Sequence, residues 1–170
     1  DSESRGLGDV YKRQPQNIVI GGASGALPPV IGWAIATNSI SLESIAFFLI
    51  IFFWTPSHFW ALSLYKADDY KKAGIPMLPV TNVIQDTKKN IFIYSLLMIP
   101  TIIFPYYIGF VGEIFLSLSL ILTFYYNLIC FQLYNYKLGK FNIKKAKHVF
   151  SYSIVYLFLI FVFFLIDKIL

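Results

Sequence analysis

The sequence predicts an all-α, polytopic integral membrane protein with about five transmembrane helices, and three observations carry that prediction. Apolar residues make up 57% of the 170-residue chain against 14% charged residues, a balance foreign to soluble domains. The apolar residues gather into five segments, 18–37, 44–64, 90–109, 114–134 and 149–166, each close to the roughly 17–25 residues that span a hydrocarbon core. No Lys, Arg, Asp or Glu lies in the interior of any of them, and the lysines between them fall in alternate connections.

Ahead of the first segment, residues 1–14 (DSESRGLGDVYKRQ) are polar, have no helical period, and lack the apolar core and small-residue cleavage site of a signal peptide. They have the look of a non-native leader left by sequence assembly. We set them apart from a single membrane domain over 15–170 and expect the native chain to begin upstream. Span one is then expected to bend, because GGASGALPPVIGW places Gly21, Gly22, Gly25 and Gly32 around the Pro28-Pro29 pair. Gly21 and Gly25 have the spacing that lets transmembrane helices approach closely. A phosphate-cradling loop is excluded, since no strand precedes these glycines and no Gly-Lys-Ser/Thr follows them.

Span two ends in FFWTPSHFWALSLYK. Pro56 removes one backbone hydrogen bond, and His58 puts an ionisable ring at membrane depth, where such residues are costly. His58 is therefore either a functional group or a neutral imidazole bonded to a carbonyl that Pro56 frees. If the helix continued past the membrane, positions 58, 62, 65 and 69 would share one face and align His58 with Asp69. In spans three to five the Phe, Tyr, Ile and Leu residues read as packing and lipid-facing surface. Tyr125, Tyr126, Asn127 and Gln132 are polar exceptions expected to bond between helices. Cys130, the single cysteine, excludes a disulfide framework and reads as a small core residue.

Residues 65–89 and 135–148 carry five lysines each, whereas 38–43 and 110–113 carry none and only Lys168 follows the last span. These two loops are expected on the cytoplasmic side, or on the matrix side of a mitochondrial inner membrane, with Glu43, Glu113 and Asp167 opposite. This placement also accounts for the net charge of +5 without invoking nucleic acid. The cytoplasmic loop after span two, SLYKADDYKKAGIPMLPV, holds Asp68 and Asp69 among Lys66, Lys71 and Lys72. One reading is a solvated loop with local ion pairs such as Asp68 with Lys72. The other is a Mg²⁺ site, since hard carboxylate oxygens commonly hold Mg²⁺ together with substrate phosphates. A lipid diphosphate would fit the second reading, its head at the loop and its chain among the helices.

The blocks PQNIVIGGASGALPPVIGW, WTPSHFWALSLYKADDY and AGIPMLPV, in that order, resemble signature blocks of the UbiA-like intramembrane prenyltransferase superfamily, specifically its protohaem IX farnesyltransferase (haem O synthase) branch. The resemblance covers residues 15 to about 90 by motif and 91–170 by span pattern. It implies a nine-helix bundle around a central cavity, of which this chain is the C-terminal part, in the cell inner membrane. It implies transfer of a farnesyl group from farnesyl diphosphate to a vinyl group of haem B with addition of water, giving haem O for haem-copper oxidases. Haem A synthase or oxidase assembly factors are the implied partners.

Carried over by position, the resemblance assigns Asp68 and Asp69 to Mg²⁺-diphosphate binding and Lys66 and Lys72 to the diphosphate, with Tyr65 and Tyr70 beside them. His58 is assigned to haem contact and Asn17 to the cavity wall. The chain departs from the family pattern at three points. The aspartates are adjacent where the family spaces them four apart, Ser57 stands where the family block has a second proline, and the first Asn/Asp-rich motif is absent from these residues. With half of the metal site missing, the chain is expected to be inactive by itself. The competing readings are a UbiA-like enzyme acting on a quinone precursor, and a transporter or oxidase-assembly subunit with proline-broken helices.

Overall fold

The computed structural model describes residues 19–66, 81–137 and 142–170. Among them are five helices long and apolar enough to cross a membrane: α1 (Val19–Thr37), α2 (Leu42–Tyr65), α3 (Thr81–Tyr107, apolar from Ile84), α4 (Glu113–Tyr134) and α5 (Ile143–Ile169). The described residues contain no strand. The all-α, multi-pass membrane architecture is therefore as the hydropathy predicts.

Two starts differ from the apolar segments. Helix α3 begins at Thr81 and not near residue 90, and α5 begins at Ile143 and not near 149. In both cases lysine-bearing turns extend the helix beyond the hydrocarbon. Lys88 and Lys89 lie in α3, while Lys144, Lys145 and Lys147 lie in α5. Charge ends an apolar window without ending a helix, because lysine is a good helix former.

Local chemistry sets the remaining ends. Helix α1 is interrupted at Leu27, where Pro28 opens its second piece, as the Pro-Pro pair predicts. It stops at Asn38, which adopts the left-handed conformation (φ 53°) and donates its N–H to Ala34 O at 2.9 Å. Ser44 Oγ accepts from Ser41 N (3.3 Å) and donates to Ser41 O (2.8 Å) at the start of α2. Asn142 Oδ1 caps α5 by accepting from Lys144 N and Lys145 N at 2.9 and 3.3 Å.

Helices α2 to α5 close into a ring: α2 packs on α3 and α5, and α4 packs on the same two. The Pro28–Thr37 piece of α1 packs on α2, and Gly22 of the first piece lies against α2 as well. This explains a difference from expectation on its glycine face. A Cβ on Gly21 or Gly25 would meet nothing within 4 Å, whereas one on Gly22 would meet Thr55 Cγ2 at 3.2 Å. Gly22 makes the close approach to α2, and the Gly21–Gly25 face is turned away from it.

Lipid is as apolar as leucine, so tight contact and hydrogen bonds hold such a ring more than water exclusion does. Small hydroxyls and tyrosines accordingly occupy its centre, among them Ser57, Ser95, Thr123, Tyr126, Ser153 and Tyr156, all 5% exposed or less. Tyr126 OH bonds Ser57 Oγ across the ring at 2.7 Å, Tyr156 OH bonds Thr123 Oγ1 at 2.9 Å, and Ser95 Oγ donates to Asn127 Oδ1 at 3.1 Å. Asn127 thus bonds between helices as its sequence context predicts, and Cys130 is buried in the core. Gln132, by contrast, is exposed. Ile121, Phe124 and Phe158 point outward.

The two ends of the ring differ in chemistry. At one end Asp167 of α5 reaches the start of α4, its Oδ2 accepting from Gly112 N (2.7 Å) and its Oδ1 from Phe115 N (3.1 Å). Lys168 donates to Phe110 O beside it, and Glu43 lies within electrostatic reach of Lys168. At the other end Lys88 donates to Tyr136 O (2.6 Å) and Lys137 O (3.4 Å), fastening the chain that leaves α4 onto α3. Lys66 and Lys147 share that end, both over the ring of Tyr65. The ring therefore carries one lysine-rich mouth and one mouth that holds Glu43 and Asp167.

Candidate functional site

Helix periodicity puts Trp54, His58 and Tyr65 on one face of α2, and Lys147, Phe150 and Ser153 on one face of α5. The two faces meet. His58 lies between two rings, stacked on Trp54 (centroids 4.4 Å apart, planes at 20°) and tilted against Phe150 (4.8 Å, 31°), with Phe59 edge-on at 5.4 Å. Tyr65 stacks on the same Phe150 at 6.0 Å. The result is a file of four rings running from inside the membrane to the lysine-rich mouth. There the ammonium groups of Lys66 and Lys147 stand 5.3 and 5.6 Å from the Tyr65 centroid.

Polar bonds lock this file. His58 Nδ1 is 2.7 Å from Ser153 Oγ, which donates to Phe150 O at 2.6 Å. Trp54 Nε1 donates to Ser153 O at 2.8 Å. Of the two readings of His58, the bond to a carbonyl freed by Pro56 is not the one seen, because the imidazole turns outward from α2 to Ser153 of α5. The alignment of His58 with Asp69 along one helix face concerns a residue outside the described ones. Helix α2 ends at Tyr65 with Lys66 as its C-cap, so the shared face runs from 58 to 65 and stops.

Three of the residues expected in the site, His58, Tyr65 and Lys66, are thus brought together in one file. Asn17, Asp68, Asp69, Tyr70 and Lys72 lie outside the described residues. Among the described residues no group of three or more His, Cys, Asp or Glu is placed to hold a metal ion. Two adjacent carboxylates offer hard oxygen donors of the kind Mg²⁺ takes, so Asp68 and Asp69 suit that ion by donor chemistry.

The structure adds residues that sequence reasoning did not single out: Trp54, Lys147, Phe150 and Ser153. A signal for the α5 residues was present, since 147, 150 and 153 recur every three positions. What they face is a tertiary fact. Ser57, where the family block carries proline, has a definite place as well. Its hydroxyl donates to Trp54 O (3.0 Å) and meets Tyr126 OH, so a proline there would remove the partner that phenol has on α2.

Comparison with known proteins gives the family of the chain. A family model described as "UbiA prenyltransferase family" matches residues 10–154, beginning inside the stretch 1–14 set apart above. The protoheme IX farnesyltransferase of Pelagibacter ubique is 73% identical over 159 residues, which is 94% of this chain and 52% of that protein. The protein of the same name from Parvibaculum lavamentivorans is 47% identical over 94% of this chain and 50% of its own length. That from Azorhizobium caulinodans is 49% identical over 86% and 48%. The chain spans about half the length of the curated relatives it matches. No solved structure matches it. A family match over most of the chain, on five membrane-crossing helices in which α2 leads into the charged loop, places this chain in the UbiA prenyltransferase family.

Proposed function

We propose that this chain is part of an enzyme that transfers a farnesyl group from farnesyl diphosphate to a vinyl group of haem B, giving haem O. The observation that carries the reading is 73% identity over 94% of the chain to a protein named protoheme IX farnesyltransferase. The geometry supports it in two ways. A lysine-rich mouth suits a diphosphate, and the ring file behind it contains a histidine suited to haem.

In this reading the bond from farnesyl C1 to the diphosphate oxygen breaks, C1 bonds to the terminal vinyl carbon, and water adds to the neighbouring carbon with loss of a proton. Asp68 and Asp69 hold Mg²⁺, which when bound neutralises charge on the departing diphosphate. Lys66 and Lys72 bind the diphosphate oxygens, with Tyr65 and Tyr70 beside them, and Lys66 is anchored at the mouth by its place over Tyr65. Aromatic faces stabilise the allylic electrophile by about 0.5–2 kcal/mol per ring. His58, held between Trp54 and Phe150, contacts haem B, and Asn17 shapes the cavity. The lysine-rich mouth faces the cytoplasm, and the protein sits in the cell inner membrane.

The test is to supply membranes holding the full-length protein with farnesyl diphosphate and Mg²⁺, offering haem B or an aromatic quinone precursor. Farnesylated, hydrated haem is the expected product. Prenylation of the aromatic acid alone would favour the quinone-precursor reading, and prenylation of neither would favour a transport or assembly role.

A further inference from the structure

We infer that Ser153 is a positioning residue for His58: it holds the imidazole as the Nδ1–H tautomer and leaves Nε2 as the basic nitrogen of the site. Proton accounting gives the tautomer. A serine hydroxyl has one proton to donate. Ser153 Oγ lies 2.6 Å from Phe150 O in its own helix, and we assign the proton to that carbonyl. The contact of 2.7 Å to His58 Nδ1 is then made with a proton from the ring. A neutral imidazole that carries its proton on Nδ1 has its lone pair on Nε2.

The same device occurs twice more in the bundle. Ser57 Oγ lies 3.0 Å from Trp54 O and 2.7 Å from Tyr126 OH, and Thr123 Oγ1 lies 2.7 Å from Ser119 O and 2.9 Å from Tyr156 OH. In each case a hydroxyl set against a carbonyl of its own helix also meets a ring hydroxyl on another helix.

Ser153 also fixes the plane of the ring. Trp54 on one face of His58 donates its ring N–H to Ser153 O, so one residue ties down one wall and the edge of the imidazole, while the Phe150 ring covers the other face. His58 Nε2 has no hydrogen-bond partner among the described residues and is not among their sealed, unpaired atoms. An oriented imidazole with a bonded Nδ1–H and an open Nε2 is the arrangement that metal-ligating histidines adopt. Resting on the reading above, its target is the iron of the haem substrate.

Two measurements on the full-length protein test this. In the ligand-free wild type, nitrogen-15 NMR of labelled histidine should give His58 a protonated Nδ1 and an unprotonated Nε2; the opposite pattern overturns the inference without need of a variant. Haem B titrations followed by absorption and electron paramagnetic resonance should show a His58-dependent axial ligand in the wild type. Ser153→Ala should weaken that binding on the order of 10-fold, and Ser153→Thr, which keeps the hydroxyl, should restore it. A His58-dependent spectrum that Ser153→Ala leaves unchanged overturns the role of Ser153 while the haem reading stands. A spectrum indifferent to His58→Ala overturns the haem assignment, and the tautomer is then judged by the NMR alone.

Discussion

Removing the Ser57 hydroxyl should cost more than removing the Tyr126 hydroxyl it meets. Both side chains are fully buried, and their oxygens lie 2.7 Å apart. We assign the Ser57 proton to Trp54 O, 3.0 Å away, which makes Tyr126 the donor of the pair. Tyr126→Phe deletes that donor and leaves Ser57 bonded to its own helix, a loss of about 0.5–1 kcal/mol, the size of one net hydrogen bond. Ser57→Ala instead strands a buried phenol O–H. The full penalty for such a group is roughly 1–3 kcal/mol. The thiol of Cys130, also close to Tyr126, is a weak acceptor, which places the expected cost at about 1–2 kcal/mol. In the double variant the stranded donor is gone, so its cost should fall below the sum of the two single losses, with a coupling of about 0.6–1.7 kcal/mol. Reversible unfolding of the full-length protein in mixed detergent micelles, followed by tryptophan fluorescence, measures all four corners of the cycle. A Ser57→Ala loss no larger than that of Tyr126→Phe, or strict additivity, would refute the assigned direction of the bond.

Other outcomes follow from the same structure. Asp167→Ala removes both acceptors from the start of α4 and should cost about 1–2 kcal/mol in the same unfolding assay; Asp167→Asn, keeping one acceptor oxygen, should lose less, and equal losses would contradict the capping role. Gly22→Leu should push α1 off α2, because even a Cβ would crowd Thr55, whereas Gly21→Leu has open space; limited proteolysis of the 38–41 connection should accelerate in the first variant only. Asp68→Asn with Asp69→Asn should abolish prenyl transfer in the full-length protein and leave the optical spectrum of bound haem intact, and retained transfer would remove the metal assignment.

The five spans were legible because burying charge in lipid is so costly that a run of about 20 uncharged apolar residues has few other uses. The break at Pro28 was legible for the equally local reason that proline cannot donate a backbone bond. The start of α3 at Thr81 was not, since hydropathy reports where lipid begins and Lys88 and Lys89 continue the helix past that point. The candidate site divides in the same manner. His58, Tyr65 and Lys66 stand out by residue type, as an imidazole at membrane depth and a polar pair at a helix end. Ser153 and Phe150 are ordinary residues in an apolar run, and their part in the site arises only when one face of α5 meets one face of α2. Asn127 shows the intermediate case. Its need for an interhelical bond was evident from its polarity, and its partner Ser95 was not.

Haem O synthesis is tested most directly by the haems themselves. A strain lacking its own haem farnesyltransferase, supplied with the full-length protein, should yield extracted haem carrying one farnesyl group and one added water by mass spectrometry, and the Asp68→Asn, Asp69→Asn variant should yield haem B alone. Haem B alone from the unaltered full-length protein, with the protein present and folded in the membrane, would contradict the account.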